Sequence, residues 1–168
     1  GATKQVFLAA GEHMSFNIKS LFGGIPQPDI ESAVISGGSG VIGLELFSGA
    51  KTLSGVLLKD NTTDTLYFPH VAGNNNWWTG IAAYNPSSSN ASLTVTPYVE
   101  SGTPLSTLNV DIASEGKYIG NAKGLNLPDN TAWFKIESSQ PLNGFELFGT
   151  SNGNQLAGCS AVNINRQK

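Results

Sequence analysis

One short phrase occurs twice in this chain. Gly43-Leu44-Glu45-Leu46-Phe47 returns as Gly144-Phe145-Glu146-Leu147-Phe148, 101 positions later. At the same offset Ser32-Ala33-Val34-Ile35 falls on Trp133-Phe134-Lys135-Ile136. Leu53-Ser54-Gly55 returns as Leu156-Ala157-Gly158 after the second copy has gained two residues. A weaker likeness lies upstream, where Val6-Phe7-Leu8-Ala9 matches Val110-Asp111-Ile112-Ala113 and Met14 falls on Tyr118. Similarity at a fixed offset is the mark of a duplicated supersecondary unit. Two copies, about 6–58 and 110–163, thus flank a single-copy stretch, 64–105, within one domain of residues 1–168. Two copies are too few, and the period too long, for a solenoid. The expectation is a pseudo-symmetric sandwich.

Each copy reads as short strands. Runs of Val, Ile, Leu, Phe and Thr are cut by Gly, Pro, Asn or Ser clusters at the spacing of sandwich and barrel proteins. The expected strands are 4–9, 14–19, 32–36, 41–47, 53–58, 65–71, 77–84, 92–99, 106–112, 117–121, 131–137, 142–148 and 156–162. Leu93-Thr94-Val95-Thr96 alternates as a half-buried strand should. No window shows a capped 3.6-residue apolar period. Only Ser20-Leu21-Phe22 and Ala122-Lys123-Gly124-Leu125 could hold a helical turn. The fold class expected is all-β, a two-sheet antiparallel β-sandwich.

Composition narrows the function. At 168 residues and 39% hydrophobic, the chain can bury a core without metals or disulfides. Charged residues are 12%, about half the usual share, and Gly, Ser, Thr and Asn replace them. The net charge is −3 and there is no basic run, so nucleic acid is not an expected partner. No apolar stretch approaches the ~20 residues of a spanning helix, so no membrane insertion is expected. No signal peptide is visible, and a chain opening on Gly1-Ala2 makes that uninformative. The lone Cys159 cannot form an internal disulfide or a paired-ligand motif, which suits a bacterial envelope protein.

Tyr67-Phe68-Pro69-His70-Val71-Ala72, then Trp77-Trp78-Thr79-Gly80-Ile81-Ala82-Ala83-Tyr84-Asn85-Pro86, then Gly144-Phe145-Glu146-Leu147-Phe148-Gly149 form a recognisable series. It resembles a β-sandwich repeat of bacterial secreted and cell-surface proteins that has no assigned activity. The match covers about 65–163, and the N-terminal part looks like the latter half of a preceding copy. The resemblance implies a fold and a secreted or surface location. It implies no catalytic residue.

The candidate sites are few. His70 sits beside aromatics, but no Ser, Cys or acid is placed to make a nucleophilic set with it, and a hydrogen bond across a sheet is the expected role. His13 beside Glu12 is expected to be solvated. Two histidines and one cysteine are too few for a zinc site. Gly38-Ser39-Gly40-Val41-Ile42-Gly43 spells a dinucleotide fingerprint but opens a strand instead of a helix, so it reads as a turn. Asp60-Asn61-Thr62-Thr63-Asp64 lacks the glycine and distal Glu of a calcium loop. Glu45 and Glu146, equivalent in the two copies, are expected to be exposed or held by a structural hydrogen bond. Cys159 aligns with Val56 and is expected to act as a small buried hydrophobe. No cofactor or metal is expected.

The one binding candidate is Asn74, Asn75, Asn76, Trp77, Trp78 and Tyr84. Consecutive strand residues point to opposite faces, so at most one tryptophan of the pair enters the core. An indole beside amides suits a sugar ring, and Gly80 and Ala82 would leave a shallow floor between Trp78 and Tyr84. The function expected is therefore a non-catalytic, extracellular structural or adhesion module whose partner is another surface protein. The alternative is a carbohydrate-binding module whose partner is a polysaccharide. The sequence sets no oligomeric state.

Overall fold

A computed structural model describes residues 3–30, 32–37, 40–59, 61–74 and 76–163. It divides into two compact units, Gly1–Val41 and Ile42–Lys168. Among its described residues the first unit holds no strand, so the strands expected at 4–9, 14–19 and 32–36 are absent there. A strand needs a partner edge to satisfy its backbone, and these short runs find none. What forms is a single helical turn, α1 (Ile18–Leu21). Asn17 caps it, its side chain accepting from the Ser20 amide while Ser20 Oγ accepts from the Asn17 amide.

The second unit carries nine strands among its described residues: β1 (Leu44–Ser48), β2 (Leu53–Leu57), β3 (Thr63–Phe68), β4 (Trp77–Tyr84), β5 (Ala91–Tyr98), β6 (Leu108–Ile112), β7 (Lys117–Asn121), β8 (Trp133–Thr150) and β9 (Leu156–Ser160). Every ladder is antiparallel. The protein is all-β, as its patterning indicates.

The main sheet is organised by β8, whose 18 residues unite the two strands expected at 131–137 and 142–148. Its first half pairs with β5 on one edge and β3 on the other, so that Ile136 lies between Val95 and Leu66. Its second half pairs with β4 and β9, so that Glu146 lies between Ile81 and Cys159. β6 extends β5, and β7 extends β4. The exchange of partners falls between Ser138 and Leu142, where β3 also slips register between Thr63 and Thr65. Pro141 sits in this gap, where a missing N–H breaks no ladder. The result is a strongly curled sheet. Tyr67 and Val162 exchange two backbone hydrogen bonds, of 2.9 and 2.8 Å, and tie the chain after β9 to β3.

The curl lets both halves of β8 serve one core. Leu66, Phe68, Leu93, Val95, Phe134 and Ile136 from the first half pack with Ile81, Ala83 and Leu142 from the second. Phe68 and Phe134 stack at 4.4 Å with an interplanar angle of 7°. Gly144 is required here for want of space: a Cβ would lie 3.0 Å from both the Phe68 ring and the Ala82 carbonyl oxygen. Asn85 ties the other end. Fully buried, it donates to the carbonyls of Ser89 and Ala113 and accepts from the Ser87 amide. It thereby fastens the β4–β5 turn to the β6–β7 turn.

The two matching hairpins share a register. β1 sets Glu45 opposite Val56 and Leu46 opposite Gly55, while β8 and β9 set Glu146 opposite Cys159 and Leu147 opposite Gly158. The β1–β2 hairpin lies against the β8–β9 hairpin, with Phe47 and Phe145 at 5.4 Å. A Cβ on Gly158 would meet Val56 at 3.2 Å, and Ser160 Oγ donates to the Leu57 carbonyl.

Asn85→Ala removes the three hydrogen bonds that this fully buried side chain makes to turn backbone groups. It is expected to cost about 2–4 kcal/mol in urea unfolding, against less than about 1 kcal/mol for the exposed Asn90→Ala. Equal effects would show that the turns hold without this side chain.

Candidate functional site

An open cleft of about 410 Å³ is lined by His70, Val71, Ala72, Gly73, Asn74, Trp77 and Phe148. Thr79 shapes it. Its buried hydroxyl accepts from the Ala72 amide at 2.7 Å and donates to the Ala72 carbonyl at 3.0 Å. One side chain thus completes both backbone valences of Ala72 and pins the segment after β3 across β4. Asn74 closes the far end, its side-chain oxygen accepting from the amides of Asn76 and Trp77. Trp77 begins β4 opposite Thr150.

The expected binding residues separate. Trp77 and Trp78 do point to opposite faces. Trp77 joins Asn74 in the cleft, whereas Trp78, 38% exposed, lies over the glycines of the other face. A Cβ on Gly149 would sit 2.5 Å from the Trp78 indole, and one on Gly80 3.1 Å from it. Six residues of strand set Trp78 and Tyr84 about 20 Å apart. The shallow floor expected between their rings is therefore a long strip already occupied at one end by indole. Asn76 is exposed and its carbonyl accepts from the Ser151 amide. Asn75 lies outside the described residues.

Among the described residues the His70 ring makes no hydrogen bond across a sheet. His70 follows the end of β3, is exposed, and sets its ring edge-on to Phe148 at 5.1 Å. Of the glycine-rich stretch, Gly38 and Ser39 lie outside the described residues and Gly40 is in a turn with φ of 89°. Asp60 also lies outside them. Among the described residues no group of three or more His, Cys, Asp or Glu is placed to hold a metal.

Glu146 is fully buried behind the cleft wall, on the same strand face as Phe148. One carboxylate oxygen, Oε1, accepts from the Cys159 thiol at 3.2 Å, while Oε2 has no well-formed hydrogen bond, the His70 amide standing near the carboxyl without the geometry of one. Burial raises its pKa to about 7 from the usual 4.5, outweighing the thiol and the His70 amide, which both favour the charged form. Burial and the same carboxyl push Cys159 up to about 12, so it stays a thiol at neutral pH. Glu45, its equivalent, is exposed. The sequence did carry a signal: Leu142, Gly144, Glu146 and Phe148 fall on one face of a strand. Phe145 and Leu147 obscured it, because the β1–β2 hairpin also covers their side.

No protein-family description matches the chain, and no curated protein matches it. Among solved structures, the Thermotoga maritima protein 1070 is similar at a TM-score of 0.52 and 16% identity, over 61% of this chain and 95% of that one. The Anabaena sensory rhodopsin transducer aligns at a TM-score of 0.40 and 12% identity, over 48% of this chain and 91% of that one. The first is a likeness of fold.

The buried carboxyl gives stability a pH dependence of definite sign. Its folded pKa is raised, so the folded state holds the proton more tightly, and stability falls as pH rises from 4.5 to about 7. The shift corresponds to about 3 kcal/mol. Glu146→Gln is expected to abolish this slope, leaving the variant less sensitive than the parent when urea unfolding is compared at pH 5 and pH 8. A parent whose stability is flat across that window would remove the buried ionisation.

Proposed function

We propose that this chain is a non-catalytic structural or adhesive module of a bacterial exported protein, a two-sheet β-sandwich in which one hairpin unit is used twice. The observation that carries the reading is where the motif residues are spent. Phe68 and Gly144 meet in the core, Thr79 clasps Ala72, Asn85 joins two turns, and Gly149 lies beneath Trp78. Each of these five residues thus has a use in holding the chain together. A surface poor in charge and rich in small polar residues fits an exported protein. Among the described residues no helix is long and apolar enough to cross a membrane.

The second reading, carbohydrate binding, is favoured by one feature. Trp77 and Asn74 share an open cleft with His70 and Phe148, which offers apolar ring surface beside an amide. That combination suits the C–H face and hydroxyls of a sugar. The reading moves the site from Trp78 and Tyr84 to Trp77.

Tryptophan fluorescence during titration with soluble polysaccharides separates the two. No saturable response from any glycan is expected for a structural module, and general ester and glycoside substrates should not be turned over. A response lost in Trp77→Ala but kept in Trp78→Ala would establish the sugar site. Turnover that disappears in His70→Ala would overturn both readings.

A further inference from the structure

The two hairpins share sequence and register, but their strands have different company. In β8 the segment Phe145–Gly149 is paired on both edges, with β9 on one and β4 on the other. Its counterpart β1 pairs only with β2 among the described residues. The Leu58 amide donates to the Gly43 carbonyl, which fixes the phase of this ladder. Gly43, Glu45 and Phe47 therefore direct their backbone groups to β2, and Leu44 and Leu46 direct theirs outward. In β8 the matching outward residues, Phe145 and Leu147, face Ala82 and Gly80 of β4.

Among the described residues no strand pairs with this edge. Exposed edges are ordinarily blunted by Pro, Lys, a bulge or an inward-pointing charge; β1 has regular register, reads Leu-Glu-Leu-Phe-Ser, and carries one charge, the exposed Glu45, on the Phe47 face and away from the leucines. Leu44 and Leu46 are 55% and 59% exposed, and Leu53 and Leu57 beside them on the same face are 64% and 58% exposed. An unpaired ladder next to four open leucines is a surface that gains by accepting a strand.

We infer that the outer edge of β1 is an acceptor for one extended strand of the Trp77–Tyr84 type, supplied by another copy of the unit. The strand would run antiparallel to β1, with its Gly80 opposite Leu46 and its Ala82 opposite Leu44. This is β-strand addition, in which the main chain supplies affinity and alternate side chains supply selectivity. Gly80 and Ala82 fit because their small side chains leave the neighbouring leucines room to lie across the added strand. One position departs from the pattern. The glycine beneath Trp78 in β8 corresponds to Ser48 in β1, whose Cβ stands where the indole would lie. The incoming strand therefore binds better with a smaller residue in place of that tryptophan. The inference rests on the hairpin registers and does not require that the module be exported or bind sugar.

The test uses the whole chain and a peptide of residues 76–85 carrying Trp78→Thr and terminal lysines for solubility. Saturable binding by calorimetry is expected, weakened at least about tenfold in Leu46→Pro, which removes one outward N–H and leaves the β2 ladder intact. Peptide binding should also slow amide hydrogen exchange at Leu44 and Leu46 at least about tenfold in the parent chain. That measurement decides the matter even should Leu46→Pro fail to fold. No saturable binding, or protection confined to residues other than Leu44 and Leu46, would overturn the assignment. Self-association through Leu46 without peptide binding would overturn it too, giving the edge to a second β1.

Discussion

The second unit depends on β8 being paired on both edges in each of its halves, at Phe134–Glu137 and again at Phe145–Gly149. A strand with two partners on the same residues cannot slide or tilt without breaking both ladders. Because the partners change at Ser138–Leu142, the two ladder sets are tied by one continuous backbone and not by packing alone. The bend turns the inward residues of both halves toward each other, and one core serves both. Gly144 marks the closest approach, where the Phe68 ring and the Ala82 carbonyl leave no space for a side chain. A larger residue there would separate the halves and open the core.

What the sequence made legible follows from period and punctuation. β4, β5, β6, β7 and β9 fall close to their expected spans because alternation and turn residues agree there. The two misjudgements have separate physical causes. The sequence pattern divides 131–137 from 142–148, whereas the structure joins them across Pro141. A proline in the gap between two partner sets interrupts nothing, so the strand runs through. Upstream, 4–9, 14–19 and 32–36 have the residues of strands, but propensity supplies no partner edge. In β1 and β2 the hairpin itself supplies one, and there the expectation holds.

The candidate site was half legible for a related reason. Strand alternation separated Trp77 from Trp78, and that division stands. It could not say which face would meet a cleft, because the cleft is made by the segment 70–74, which Thr79 folds over β4. Nor does local pattern place a carboxyl in the interior. Glu146 lies between Phe145 and Leu147, and alternation alone puts apolar neighbours inside and the acid outside. The assignment inverts because a second hairpin covers Phe145 and Leu147, so that this face of β8 is half-buried as well.

Glu45 and Glu146 carry this argument furthest. They hold matching register positions in two hairpins, opposite Val56 and Cys159, yet one is exposed and the other fully buried. Local sequence does not account for the difference, since the flanking residues are alike. It follows from what lies beyond the hairpin: β8 has β4 on its outer edge and the core beneath it, and β1 has neither. The thiol at Cys159 gives the buried acid a donor, where valine suffices opposite an acid that reaches water. Hairpin sequence thus determines the register, and the strands that join its edges determine which residues become interior.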